Sequence, residues 1–407
     1  MTAPVDSPAA STASPPGSPA GRADPYDALL LLGFGGPESP DQVLPFLRIV
    51  TAGRGIPDER LAGVAEHYGH FGGRSPINDQ CRALLAAMRA DLADHGVAIP
   101  VYWGNRNWHP FLADTVRTMR VDGIRRAAVF ATSAYSSYSG CRQYREDLAA
   151  ATAAVAAEST GDAGEPPVPR LEKLRHYFNH PGFVDPVVDA VLAARSALPD
   201  TAREAAAIVF VTHSIPTAMD AGAAPGGHGY SGQHLALAAE VAARVGAVAG
   251  TEVPYALTYC SRSGPPGQPW LEPDVNDHLR ALAAAGTPGV VVVPFGFVSD
   301  HMEVIYDLDV EAAETAAELG LPFVRAATVG TDPRFVAVPR DLLLERAAVE
   351  RARAAGTGQA MAVPERRAVT SWSAMHDVCP VGCCPNLRGP KPALSGLDAP
   401  DLVGSAT

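Results

Sequence analysis

With 407 residues, 47% of them hydrophobic, the chain is long enough to bury the cores of two domains. Its formal charge of −12 argues against nucleic acid as a partner. No apolar run approaches the roughly 20 residues of a membrane span and no charged-then-apolar leader opens the chain, so a cytoplasmic protein is expected.

Residues 1–24 are mostly Ala, Ser, Pro and Gly. They hold too few large apolar groups to offset the entropy of ordering, which predicts a disordered tail. Tyr26–Phe34 then reads as a buried strand. The Gly33, Gly35, Gly36 cluster behind it allows a tight turn or close approach of a ligand. It matches neither GxGxxG nor a P-loop, so a nucleotide is not expected. Strand-like runs follow at 98–103, 126–132, 206–212, 255–259, 289–297 and 323–328, separated by helical segments such as 80–95, 114–122 and 233–245. This βαβ rhythm predicts an α/β fold of two Rossmann-like lobes, each a parallel sheet flanked by helices, over 25–178 and 179–334. Residues 150–169 read as a loose helix end and loop, 335–356 as an Arg/Glu/Ala-rich helix, and 357–407 as a cysteine-bearing extension.

The densest chemistry lies in VVVPFGFVSDHMEVIYDLD, residues 291–309, where an apolar strand runs into a helix start crowded with carboxylates. On a regular helix Asp300, Glu303 and Asp307 would share one face. Three like charges call for compensation, in small part by His301 and more fully by a divalent metal. The alternative is that Asp300 caps the helix while the other two face water. Upstream, AAAIVFVTHSIP ends a buried-type strand in His213, Ser214 and the helix-breaking Pro216. Ligands of open α/β sheets collect outside the carboxyl ends of strands, so His213 and Glu303 could face one crevice. A packing role for a lone His is the competing reading.

Six cysteines in a cytosolic chain argue against a disulfide framework. Three of them, Cys379, Cys383 and Cys384, fall in HDVCPVGCCPNLRGP, beyond the two expected lobes. That spacing suits a metal or iron-sulfur centre, and exposed thiols on a disordered tail would be a redox liability. A fourth ligand would come from Cys81, Cys141 or Cys260, and zinc on four thiolates is an alternative.

THSIP, SRSGPP with PWLEP, and GFVSDHMEV with YDLD resemble the motifs of ferrochelatases, enzymes that insert ferrous iron into a porphyrin. LLLGFGGPES, HYGHFGGRSPIN and GNRNWHP extend the resemblance towards the amino end, in the family's order. It implies a porphyrin cleft between the lobes, His213 as base or metal ligand, Glu303 as its partner from the opposite wall, and Asp300 and Asp307 as an iron or proton relay. It also implies a porphyrin slot of Phe34, Ser75, Tyr144 and Trp270, with Arg54, Arg74 or Arg106 near the rim. Core aromatics and surface arginines are the competing reading of that set. Phe34 stands where some bacterial relatives have a Tyr able to ligate product iron, and it offers no oxygen.

Some ferrochelatases carry a [2Fe-2S] cluster on three carboxy-terminal cysteines and one internal cysteine. By that resemblance Cys141, in YSSYSGCRQY, joins Cys379, Cys383 and Cys384, with Cys260 in reserve, although CxxxCC departs from familiar spacings. The cysteine tail and GFGGPE resemble actinobacterial forms, which use coproporphyrin III, so that is the expected substrate, with protoporphyrin IX as the alternative. Hand-off of product to the next haem-pathway enzyme would follow. A tetrapyrrole or metal carrier on the same fold, or a cobalt chelatase, are the other classes the pattern admits.

Overall fold

The computed structural model describes residues 22–53, 55–162, 164–264, 267–356, 365–394 and 400–401. Most of the expected amino-terminal tail, and Arg54, lie outside them. The end of that tail is anchored: Ala23 is buried, and Arg351 Nη1 donates to the carbonyls of Arg22 and Asp24 at 2.8 and 2.7 Å.

Eight strands form two four-stranded parallel sheets. The first contains β1 (Ala28–Gly33), β2 (Val101–Asn105), β3 (Arg126–Ala131) and β4 (Arg170–Lys173), in the order β2-β1-β3-β4. The second contains β5 (Ala207–His213), β6 (Tyr255–Cys260), β7 (Val290–Val293) and β8 (Phe323–Arg325), in the order β6-β5-β7-β8. Each sheet therefore reverses its winding direction beside its first strand. That reversal opens a crevice at the carboxyl ends of β1 and β5, where open α/β sheets bind ligands.

Apolar sequence explains the layering. Leu29 to Leu32 of β1 and the four valines of β7 are fully or almost fully buried, as strands covered on both faces must be. One core joins the lobes: Leu29 and Phe130 from the first sheet pack with Ile208 and Val291 from the second. The helices Pro181–Ala197, Gly229–Ala249 and Pro333–Ala355 contribute to the same core. Separate cores cover the outer faces of each sheet. Pro333–Ala355 is started by Pro333 and by Asp332, whose Oδ1 accepts from Arg334 N at 2.9 Å. It packs on both Ile77–Asp94 and Pro181–Ala197. Arg175 and Glu345, both buried, tie it down through a two-pronged pair at 2.7 and 2.9 Å.

The expected run 289–297 shortens to β7 because Pro294 has no N–H for the ladder. The expected run 98–103 shifts to Val101–Asn105, and 323–328 ends at Arg325. Residues 150–157 are not loose but finish the regular helix Gln143–Ala157. No helix among the described residues is long and apolar enough to cross a membrane.

Candidate active site and cysteine centre

His213 is the last residue of β5, and its backbone pairs with Cys260 of β6. Its Nδ1 lies 2.5 Å from the Ser214 carbonyl oxygen. A carbonyl only accepts, so Nδ1 carries the hydrogen, and in the neutral ring Nε2 keeps a free lone pair. That Nε2 lies 3.6 Å from Glu303 Oε2, with both side chains partly open to solvent at 34% and 56%. Tyr230 steadies the histidine from behind, its hydroxyl donating to the His213 carbonyl at 2.8 Å.

Glu303 sits on a single helical turn, Met302–Ile305, followed by a wider π-helical stretch, Tyr306–Ala312. Such turns are rare and cluster at functional sites. The expected row of three carboxylates on one helix face does not form, because Asp300 lies ahead of the helix and turns to Arg325, whose Nη1 donates to it at 3.1 Å. His301 supplies no compensating charge, since burial pushes its pKa down. Asp307 accepts a hydrogen bond from Ser261 Oγ. Burial raises the Asp307 carboxyl to about 6, against the pull of Ser261 and with a push from Glu303.

Phe34 follows β1 and packs edge-to-face on Phe46 at 6.3 Å. Ser75 is buried, with its N–H on the Pro37 carbonyl at 2.9 Å. Trp270 pairs by backbone with Pro216, three residues beyond His213. Its indole lies so close over Gly264 that a Cβ there would collide with it, and its buried Nε1 has no partner among the described residues. Tyr144 is buried and packs into the outer core of the first sheet. The Arg106 side chain is almost fully covered, ion-paired with Asp147, and lies 4.3 Å over the Tyr144 ring and 5.7 Å over the Phe34 ring, so it brings those two together. Arg74 is exposed and bound to Asp79.

Two features carry no role in the sequence reading. The helices Pro40–Val50 and Asp58–Gly69 form an apolar lid in which Phe46, Tyr68 and Trp108 pack with Met302, beside Glu303. His67 stacks on Tyr306 with ring centres 4.0 Å apart. Of these, Trp108, His67 and Tyr68 fall within GNRNWHP and HYGHFGG, so the signal was present without a geometry. The other feature is Arg325, for which a three-residue strand gave no cue.

The cysteine tail folds against Cys141. Ser137 Oγ accepts from Gly140 N at 2.8 Å and so fixes the turn Tyr138–Arg142 that presents this thiol. Cys141 Sγ lies 3.9 Å from Cys379 Sγ, and Cys383 Sγ lies 3.7 Å from Cys384 Sγ. Two thiolates on one tetrahedral metal, at bonds of about 2.3 Å, stand roughly 3.8 Å apart, so the donor set fits iron or zinc. Cys384 also accepts from Ala224 N at 3.3 Å, which brings the second lobe to the centre. A ring nitrogen of His376 falls within 4.8 Å of the Cys379 and Cys383 sulfurs. Hydrogen bonds from Cys379 and Cys384 pull the Cys383 thiol down towards thiolate. Cys81 and Cys260 are buried away from this group, in the helix Ile77–Asp94 and at the end of β6.

The ferrochelatase family profile matches residues 26–347. The chain belongs to the ferrochelatase family. Among similar ferrochelatases, a coproporphyrin III ferrochelatase of Streptomyces griseus is 59% identical over 92% of this chain and 97% of its own length. Those of Streptomyces coelicolor and Frankia alni are 56% and 54% identical, over 93% and 90% of this chain and 98% and 89% of theirs. Among solved structures, SirB from Bacillus subtilis with Fe3+ is 12% identical, covering 80% of this chain and 97% of its own, with a TM-score of 0.47. As in ferrochelatases generally, Fe(II) is a substrate here, and the chain must supply a base, oxygen or nitrogen donors for iron, and an apolar slot.

Proposed function

We propose that this ferrochelatase inserts Fe(II) into coproporphyrin III, giving iron coproporphyrin III and two protons, as a cytoplasmic step of haem biosynthesis with hand-off of the product to the enzyme that follows. The observation carrying the substrate is the set of relatives named for coproporphyrin III, at 54–59% identity across nine-tenths of the chain. The chemistry rests on the His213–Glu303 pair. Insertion needs tilted pyrroles, loss of two N–H protons and a donor that releases iron to the ring. His213 Nε2, a free lone pair in the crevice, accepts a pyrrole proton. Glu303 offers oxygen to Fe(II) from the facing wall. Asp307, with a carboxyl near pH 6, takes up and releases the proton beyond it. Phe34, Ser75 and Trp270 line the apolar slot, and Trp270 Nε1 is a hydrogen-bond donor with no acceptor among the described residues. Arg54 remains the rim candidate for a propionate, and Arg106 supports Tyr144 from within.

We also propose a [2Fe-2S] cluster on Cys141, Cys379, Cys383 and Cys384, supported by the convergence of four thiols from two distant segments. When bound, such a cluster supplies a one-electron centre and ties the tail to the lobes. Arg145 and Lys173 line the same pocket as Cys379 and draw its thiol down, in the same sense as the hydrogen bond with Cys141, while the hydrogen bond with Cys383 and burial leave it raised on balance.

The test is anaerobic porphyrin binding and iron insertion by His213→Ala and Glu303→Gln. Both should bind porphyrin at near wild-type affinity and lose insertion, by at least 100-fold for the histidine. Normal turnover in His213→Ala would remove this mechanism.

A further inference from the structure

Arg325, the last residue of β8, has a side chain only 18% exposed and lies at the centre of a fork. Its Nε and Nη2 donate to the two oxygens of Asp309 at 2.5 and 3.0 Å, and its Nη1 donates to Asp300 Oδ1 at 3.1 Å. Asp300 is held from the other lobe too, its N–H donating to Gln80 Oε1 at 2.8 Å, on the helix Ile77–Asp94. Asp300 and Asp309 bracket the segment that carries Glu303 and Asp307 and that changes from α-helical to π-helical at Tyr306. Asp309 lies within the π-helical stretch, a rare winding found mostly at functional sites, so the Arg325 fork holds that stretch from inside. Glu303, 56% exposed, has His213 as its only ion-pair partner among the described residues, so its position comes from its backbone.

We propose that Arg325 is the positioning residue for the catalytic carboxylate, clamping both ends of this segment so that Glu303 faces His213, and that it also neutralises Asp300 and Asp309 so that neither competes for iron. The inference rests on the reading of His213 and Glu303 as the catalytic pair. Two hard carboxylates freed beside Glu303 and Asp307 would form a second oxygen site for a divalent cation. Lysine could supply the charge but not the planar fork, so the two functions of Arg325 separate by substitution.

The experiment is anaerobic steady-state insertion by Arg325→Gln, Arg325→Lys and the triple variant Arg325→Gln/Asp300→Asn/Asp309→Asn, over a wide range of Fe(II) concentration. Arg325→Gln should lose about ten-fold in kcat with porphyrin KM within about two-fold, and should be inhibited at Fe(II) concentrations the wild type tolerates. The triple variant should lose the inhibition without regaining kcat. Arg325→Lys should keep a low kcat with little inhibition. Should Arg325→Gln fail to fold, Asp309→Asn replaces it, with a lowered kcat and no new inhibition expected. An Arg325→Gln enzyme with kcat within two-fold of wild type and an unchanged Fe(II) profile overturns the proposal. Full turnover by Glu303→Gln would instead overturn the catalytic reading beneath it.

Discussion

Replacing Asp307 with Asn should make the protein more stable and less active. Burial lifts this carboxyl from 3.8 to about 6 in the folded state. A rise of about two units means that the ionised form costs roughly 3 kcal/mol in the fold at neutral pH, as an upper figure. The amide removes that charge while its carbonyl oxygen can still accept from Ser261 Oγ. Because the folded pKa lies above the unfolded one, the wild type holds its full stability below about pH 4 and loses it as pH rises through about 6, with no further loss above. The advantage of Asp307→Asn should therefore be largest near pH 8, fall to about half at pH 5, and shrink to about a fifth at pH 4. Anaerobic denaturant melts of both proteins across this range measure it, and iron insertion in the same samples should fall about ten-fold or more. A variant no more stable than wild type at pH 8, or a gap that does not change between pH 8 and pH 5, would refute the reasoning.

Cys141→Ser should purify without sulfur-to-iron charge-transfer absorption, whereas Cys81→Ser and Cys260→Ser should keep it, because only Cys141 among the three meets the tail thiols. Limited proteolysis should then cut the Cys141→Ser tail between Thr370 and Pro390 faster than in wild type. Gly296→Ala should cost about 2 kcal/mol or more in a denaturant melt and depress insertion, since the added methyl would strike Thr212, the residue before His213, at both side chain and backbone. Free accommodation of that methyl would mean that the β5 end is looser than described.

The parts of this fold legible from sequence were those set by local pattern. Unbroken apolar runs marked β1, β5 and β7 because both sheet faces are covered, and a strand ending in THSIP placed His213 at a carboxyl end. What escaped depended on contacts between distant segments. RLEK looks like solvent-facing charge, yet it forms β4 because Arg126 and Arg346 pair with the buried Glu172. The spacing of Asp300, Glu303 and Asp307 suggested one helix face, but Arg325, 25 residues beyond Asp300, draws it off the helix. The motif holding Arg106 was readable, but its pairing with Asp147 and its stacking over Tyr144 and Phe34 were not. In the cysteine tail the residue types were readable and the partner was not: three thiols within six residues announce a centre, while only the fold brings Cys141 to it.

The measurement that tests the central claim most directly is anaerobic turnover of the purified protein with Fe(II) and either coproporphyrin III or protoporphyrin IX, followed by the porphyrin absorption bands. The account predicts insertion into both or into the first alone, with a clear preference in kcat/KM for the four-propionate substrate. Preference for protoporphyrin IX would contradict the substrate, and binding of either porphyrin without iron insertion or proton release would contradict the enzyme.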